Sequence, residues 1–373
     1  MTRETHRPGD RYWMEQAIAL AALGAGTTRP NPLVGSIVVK DGALVGSGFH
    51  KRAGQAHAEV TALLSAGPDA RGATLYVNLE PCIHHGRTPP CTDAILEAGI
   101  ARVVTALEDP NPAVEGAGVA ALRAAGVDVS LGVLEDEAEA INAPFLTLHR
   151  TGRPLVTLKA AVSLDGRSAA MSGNSQWITG SRARRFAHRL RFCHDAILVG
   201  AATARADNPR LTVRLDGLEL PATGGPLPVI ISESLELNPE ARVLQKATPD
   251  SAEVRVYTRE SDLSRGLPGA EIIQVPSNPD GGLDLKAILD DLGRIGIRSV
   301  LVEGGARTLA GFMAAGLVDR WAVFTAPVVL GNEGGRPLVD LPACPTPAEG
   351  WWMAGQRTMP LGRDLLTLAL PAR

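Results

Sequence analysis

Apolar residues along this chain switch repeatedly between a helical period and a strand period, and that alternation leaves few architectures besides helices packed against a mostly parallel sheet. Met14, Ala17, Ile18 and Ala21 mark a first helix that stops near Gly24 and Gly26. Ile37, Val38 and Val39 begin a strand pattern, with Asp41-Gly42 as a hairpin turn before Leu44 and Val45. A helical stretch follows His57, strands are expected at Thr74 to Leu79 and Arg102 to Ala106, and helices after Cys91 and around Val119 to Ala125. Together they make an α/β sandwich of about 150 residues.

The segment His149-Arg150-Thr151-Gly152-Arg153-Pro154 is charged, holds Gly and Pro, and precedes a fresh strand at Leu155 to Ala161, so it reads as a linker. Beyond it the rhythm resumes with strands at Ala196 to Val199, Val229 to Ile231, Val254 to Tyr257 and Ser299 to Val302. Long surface loops are expected at Leu215 to Pro228 and Pro276 to Gly282. At 373 residues the chain exceeds what one hydrophobic core fills. The expected domains are 11–150 and 154–371.

A formal net charge of -3 offers no global positive field for a nucleic-acid backbone, which favours a small-molecule substrate. No apolar run reaches membrane-spanning length and the first ten residues are polar, so a cytoplasmic protein without a membrane partner is expected. Copies of the same chain are the expected partners, as a homo-oligomer. Four cysteines, Cys82, Cys91, Cys193 and Cys344, are too few to staple a chain of this length, which leaves metal binding or plain burial.

Chemistry concentrates in His57-Ala58-Glu59, followed after a strand by Pro81-Cys82 and then Cys91. One imidazole and two thiolates leave the fourth tetrahedral position of a zinc ion open for water, as catalysis requires. Zinc brings the pKa of that water toward neutrality, and a carboxylate that is not a ligand must then carry protons, a role that suits Glu59. A helix beginning near Cys82 would turn backbone N–H groups toward its sulfur, and His57 would open another helix at the same edge. A structural zinc site with His84 or His85 as fourth ligand is the competing reading. The general deaminase signature has two residues between its cysteines, whereas here Ile83 to Pro90 intervene.

That wide spacing, in Leu79-Glu80-Pro81-Cys82-Ile83-His84-His85-Gly86-Arg87-Thr88-Pro89-Pro90-Cys91, resembles the bifunctional riboflavin-biosynthesis deaminase/reductase family. Pro30-Asn31-Pro32-Leu33-Val34-Gly35, His50 through Glu59 and Glu108-Asp109-Pro110-Asn111-Pro112 match as well. So do Lys159 through Arg167, Ser175-Gln176-Trp177-Ile178-Thr179 and Asp207 through Arg214 in the second half. The resemblance implies a three-layer cytidine-deaminase-like α/β domain followed by a dihydrofolate-reductase-like α/β domain. The first would hydrolyse the 2-amino group of a diamino-ribosylamino-pyrimidinone 5′-phosphate, and the second would reduce the ribosyl group to ribityl with NADPH. It implies Zn2+ on His57, Cys82 and Cys91, Glu59 as proton shuttle, and Asn31 and His50 as contacts to ring or ribose. In the reductase it implies substrate contacts at Ser175, Arg191, Leu211, Arg214 and Glu303, and cofactor contacts at Ala161, Trp177, Thr203 and Asp207, with Asp207 close to the reacting centre.

Read on its own chemistry, the second half must hold a nicotinamide and bind phosphates. The strand Val300 to Val302 leads through Glu303-Gly304-Gly305 into a helix from Ala306, whose first N–H groups suit a phosphate. Gly200-Ala201-Ala202-Thr203 is a second cofactor loop of this kind. No Gly-x-Gly-x-x-Gly follows a strand, which disfavours a standard dinucleotide-binding domain. Bland alternatives stand beside these roles: Arg191, with Arg182, Arg184, Arg185 and Arg189, as a solvated helix face; Trp177 as a core residue; His50 as a surface strand end; Asn31 as a turn former; Lys159 as an ionic group or a strand cap. Where the family often has Asp-Ser after the Val229 strand, this chain has Ser232-Glu233, and Glu233 near a 2′-phosphate would repel it. Competing functions are a deaminase of cytosine, guanine or a tRNA adenine with another role for the second half, and a zinc-stabilised binding module. Glu59 weighs against the last, because a structural zinc needs no unligated carboxylate there.

Overall fold

The computed structural model describes residues 6–83, 89–111, 114–171, 177–217, 220, 224–245, 253–264, 266–331 and 335–372. The chain divides into two compact units that part between Thr151 and Gly152.

The first unit runs α1 (Asp10–Ala21), β1 (Gly35–Lys40), β2 (Ala43–Phe49), α2 (Ala58–Ala66), β3 (Thr74–Val77), α3 (Cys91–Ala98), β4 (Arg102–Thr105), α4 (Ala117–Ala124), β5 (Asp128–Leu131) and α5 (Glu135–Thr151). Its sheet has the order β2-β1-β3-β4-β5. β1 is antiparallel to β2 and β3, while β3, β4 and β5 are parallel. The hairpin turn sits where expected, Asp41 and Gly42 both taking positive φ, 51° and 79°, as a two-residue turn matched to strand twist requires. Because helices cover both faces, β4 is buried at every position and shows no alternation. Ala62, Leu63 and Ile95 with Val119 and Leu122 pack α2, α3 and α4 on Val38, Leu75 and Val103. Met14, Ala17, Phe145 and Leu146 pack α1 and α5 on Ile37, Tyr76 and Val104. This is the expected three-layer sandwich.

One element corrects the sequence reading. α5 extends through His149, Arg150 and Thr151, so half of the expected linker is the last turn of a helix. Pro144 inside the helix disguised it, and its acidic first turn and basic last turn complement the helix dipole.

The second unit runs β6 (Leu155–Ser163), β7 (Arg167–Ala169), α6 (Ser181–Cys193), β8 (Ala196–Gly200), α7 (Ala201–Asp207), β9 (Leu227–Ile231), β10 (Val254–Thr258), β11 (Ala270–Gln274), α8 (Leu285–Arg294), β12 (Ser299–Val302), α9 (Ala306–Ala314), β13 (Arg320–Ala326), β14 (Arg336–Pro337), β15 (Met353–Leu361) and β16 (Asp364–Pro371). Its main sheet has the order β11-β10-β9-β8-β12-β6-β13-β16-β15, parallel from β11 to β13 and antiparallel beyond. β7 and β14 form a separate small ladder. Side chains alternate along β8. Ala196 and Leu198 join Phe312 and Met313 of α9 on one face, and Ile197 and Val199 join Ala204 of α7 on the other. Neighbouring strands β8 and β12 therefore send their following helices to opposite faces, which opens a crevice at their C-terminal ends, where open α/β sheets bind ligands.

In the first unit, Arg102 of β4 anchors α1 by donating to both oxygens of Asp10 at 2.8 and 2.9 Å, and Tyr76 Oη adds a bond of 2.9 Å. Both charged side chains are buried. Asp10→Ala strands the guanidinium and is expected to cost about 3–5 kcal/mol, read from urea unfolding of the first unit, whereas Asp10→Leu with Arg102→Met should recover most of that loss.

Candidate functional site

In the first unit, three donor atoms meet at helix starts. His57 is the residue before α2, Cys91 is the first residue of α3, and Cys82 lies in the extended chain after β3. His57 Nδ1 lies 3.2 Å from Cys91 Sγ and 3.5 Å from Cys82 Sγ, and all three donors fall within 4.8 Å of one another. Tetrahedral zinc with bonds of about 2.0–2.3 Å sets its ligand atoms about 3.5 Å apart, so the arrangement fits that ion. Residues 84–88, over which the expected helix would run, lie outside the described residues, and Cys82 itself is not helical. Its sulfur instead accepts the N–H of Cys91 at 3.4 Å, so the start of α3 serves both cysteines. Hydrogen bonds from Cys91 and His57 hold the Cys82 thiol well below its ordinary range. His84 and His85 lie outside the described residues.

Glu59, in the first turn of α2, is buried, and its Oε2 has no hydrogen-bond partner among the described residues. Burial lifts its carboxyl above the ordinary value. A buried, unpaired acceptor beside a metal triad marks a place for a water or substrate atom. His50 is 2% exposed and so is no surface residue. Its Nδ1 donates to the Ala56 carbonyl at 3.2 Å, which leaves Nε2 to accept from the Asn31 amide at 3.0 Å. Burial lowers the pKa of His50 and keeps it neutral. Its ring meets that of His57 edge to face at 5.5 Å.

Sequence reasoning passed over Glu80. Its buried carboxylate accepts the N–H groups of Asp109, Gly116 and Val119 at 3.1, 2.9 and 2.9 Å, tying the loop before α4 to the segment that carries Cys82. The one available signal was an acid directly before Pro81-Cys82.

In the second unit, Arg191 of α6 is no solvated helix residue. It donates Nε and Nη2 to the two oxygens of Glu303 at 2.7 and 2.9 Å, and Nη1 to the Thr212 carbonyl at 3.0 Å. Lys159 Nζ lies 3.7 Å from Glu303 Oε2, so its role is ionic. Burial works to raise the Glu303 carboxyl, yet Lys159 and Arg191 overcome it and hold it at about 2. His188, also missed, accepts the N–H of Arg214 at 3.3 Å and is pushed down to about 4 by burial and then by the charges of Arg191 and Arg214. Partial burial and the nearby Arg191, Arg242 and Arg210 lower Arg214 itself, the mark of a cationic cluster that an anion relieves. Leu211 is 2% exposed with φ 51°, packed in the core, so only its backbone is left for a ligand.

At the crevice, Gly200-Ala201-Ala202-Thr203 is the first turn of α7 rather than a loop. Thr203 Oγ1 accepts the N–H of Gly305, the residue before α9, at 3.0 Å, so the two helix starts are bonded to each other. A side chain at Gly304 would put Cβ 2.5 Å from Thr308 Cβ, which explains the glycine. A cavity of 660 Å³ opens there, lined by Gly200, Ala201, Glu233, Lys286 and Arg307 among others. Ala161 lies toward the same end of β6, opposite Phe324. Asp207 ends α7 at the surface and feels the charges of Arg336 and Lys159. Trp177 is 66% exposed, outside any core, and Arg184 stacks over its ring at 4.4 Å. Ser175 lies outside the described residues.

A histidine-and-two-cysteine centre beside a buried carboxylate, one oxygen of which has no partner among the described residues, together with a nine-stranded sheet whose crevice lies between two helix starts, defines a zinc deaminase joined to a nucleotide-dependent reductase. Residues 8–107 match the model of the cytidine and deoxycytidylate deaminase zinc-binding region, and residues 154–356 match that of the RibD C-terminal domain. The riboflavin biosynthesis protein RibD of Escherichia coli is 44% identical over 341 residues, 89% of this chain and 91% of its own. That of Aquifex aeolicus is also 44% identical, over 89% and 90%. The solved RibD structure from Acinetobacter baumannii superposes with a TM-score of 0.86 at 39% identity, covering 98% of this chain and 99% of its own. The chain belongs to the RibD family of riboflavin-biosynthesis enzymes, bifunctional deaminases and reductases that use zinc and NADPH.

Glu80→Gln offers one acceptor oxygen and a donor to three N–H groups. It is expected to lower stability by about 2 kcal/mol or more, at about 1–3 kcal/mol per unmatched group. The readouts are the melting temperature of the zinc-loaded protein and zinc retention against a chelator. An unchanged melting point and unchanged retention would remove Glu80 from this role.

Proposed function

We propose that residues 11–150 deaminate a diamino-ribosylamino-pyrimidinone 5′-phosphate and that residues 154–371 then reduce its ribosyl group to ribityl. A solved protein of Thermotoga maritima is a diaminohydroxyphosphoribosylaminopyrimidine deaminase/5-amino-6-(5-phosphoribosylamino)uracil reductase. It is 36% identical to this chain, with a TM-score of 0.82 over 97% of this chain and 99% of its own. The observation that carries the reading is the unpartnered Glu59 Oε2 beside His57, Cys82 and Cys91.

His57 Nδ1 and the sulfurs of Cys82 and Cys91 would hold zinc, which would acidify a water within the site. Glu59 takes one proton from the water at its unpaired oxygen and delivers it to the ring nitrogen, then carries the remaining hydroxyl proton to the departing amine, which leaves as ammonia. Burial raises the pKa of Glu59, a direction that suits a group that must both accept and release a proton. Neutral His50 fixes the Asn31 amide, and the pair orients the ring.

In the second unit the helix starts at Gly200 and Gly305 receive the cofactor's phosphates, with Ala161, Trp177, Thr203, Asp207 and Gly304 around the nicotinamide cofactor. Arg214 and its cationic neighbours receive the substrate phosphate, while Arg191 and Glu303 brace that corner, joined by the Leu211 backbone and Ser175. The reading includes a homo-oligomer that works in the cytoplasm on a small molecule rather than on a nucleic acid, a substrate choice that the formal net charge of -3 supports. Among the described residues no helix is long and apolar enough to cross a membrane.

The test incubates zinc-loaded protein with the diamino-ribosylamino-pyrimidinone phosphate with and without NADPH, following ammonia and the absorbance of the reduced cofactor. Ammonia release followed by cofactor oxidation is expected. Glu59→Gln should cut ammonia release by about 10²–10⁴-fold with zinc retained, while reduction of the deaminated compound, supplied directly, continues. Ammonia release at the wild-type rate would refute the shuttle.

A further inference from the structure

His188 and Arg191 stand three positions apart on α6, so they share one face of the helix. The Arg214 N–H donates to His188 Nδ1 at 3.3 Å, so that nitrogen is bare and the neutral ring carries its proton on Nε2. Nε2 has no partner among the described residues, although the ring is partly buried. A donor left open at such a place is one that a ligand can take.

The charges around the ring say which ligand. Lys159, Arg191 and Arg214 act on it against Glu303 alone. Glu303 is already committed to Arg191 at 2.7 Å and to Lys159 at 3.7 Å. Arg214 has no ion pair among the described residues, and Arg242 and Arg210 add to the positive charge that it feels. Three cations against one carboxylate leave a surplus that a phosphate dianion cancels. Another cation in place of His188 would repel Arg191 and Arg214, whereas a neutral N–H adds a hydrogen bond to the anion without that cost.

Resting on the reading that Arg214 receives the substrate phosphate, we propose that His188 Nε2 donates to the same 5′-phosphate and makes the reductase select phosphorylated substrate. Nδ1 holds the Arg214 backbone while Nε2 meets the phosphate, so one ring both seats the cation and supplies the donor beside it.

Steady-state reduction by the full zinc-loaded chain at saturating NADPH tests this, with 5-amino-6-(5-phosphoribosylamino)uracil and its dephosphorylated counterpart as substrates. Asparagine can place an acceptor near the position of Nδ1 but nothing at Nε2, and glutamine can place a donor near Nε2 but no acceptor at Nδ1. His188→Asn should raise KM for the phosphorylated compound by about tenfold or more, leaving kcat and the KM of the dephosphorylated compound within about twofold. Inorganic phosphate should inhibit this variant about tenfold more weakly than it inhibits the wild type. His188→Gln should keep KM within about threefold of wild type. The proposal fails if His188→Asn changes both substrates alike. It fails as well if His188→Asn behaves as wild type, and that variant decides the matter even if His188→Gln does not fold. Arg214→Ala separates this proposal from the reading beneath it. An undiminished preference for the phosphorylated compound in that variant would overturn the phosphate site itself, whereas a lost preference there with His188→Asn unaffected would overturn the role of His188 alone.

Discussion

Both sites depend on pairs of helices that start side by side at one edge of a sheet. A helix start leaves backbone N–H groups without intrahelical partners and gathers partial positive charge, so it attracts thiolates, phosphates and carboxylates. In the first unit α2 and α3 bring His57 Nδ1 and Cys91 Sγ to 3.2 Å, and the N–H of Cys91 reaches the sulfur of Cys82. In the second unit the bond from Gly305 to Thr203 joins α9 to α7. Chemistry differs between the units because the first loads the junction with soft ligand atoms and the second strips it to glycine and small residues.

Two buried carboxylates show how environment divides labour. Glu59 has no cationic side chain beside it that outweighs burial, and its carboxyl rises. Glu303 is a little more exposed, and although burial still works to raise it, Lys159 and Arg191 bring it down to about 2. A group of the first kind can move protons, whereas one of the second kind is held as an anion and orders its cations. The bidentate Arg191 bond then has a consequence beyond the pair. It fixes the guanidinium that holds the Thr212 carbonyl, while His188 takes the N–H of Arg214, and together they dock the chain that bears Arg214 onto α6. Leu211, just before them in the chain, is the apolar anchor of the same segment.

The strands and the metal motif were legible in sequence because each rests on a local signal, apolar period in one case and ligand chemistry in the other. Ile37 to Val39, Ala196 to Val199 and Ser299 to Val302 all fall in strands. Residues whose work is to hold backbone were not legible. Glu80 accepts N–H groups from residues between Asp109 and Val119, and nothing in its own neighbourhood encodes those partners. His188 was hidden among the arginines of α6, whose clustering kept a solvated helix face open as an alternative to a site. The end of α5 was lost for the opposite reason, since Pro144 and a polar tail are local signals that tertiary packing of Phe145 and Leu146 overrides.

The missing Gly-x-Gly-x-x-Gly has a physical cause in strand order. That fingerprint arises where one strand, one tight turn and one helix supply every close approach to a pyrophosphate. Here β12 is inserted between β6 and β8, so the crevice is bounded by helices that follow two strands distant in sequence, with Thr203 and Gly305 separated by 102 positions. The need for small residues is divided accordingly. A Cβ at Gly200 would lie 2.6 Å from Thr308 Oγ1, and one at Gly304 2.5 Å from Thr308 Cβ, so a single threonine on α9 presses against glycines from both strands. Along the chain these are two unremarkable glycine sites. The sheet makes them one close-packed junction.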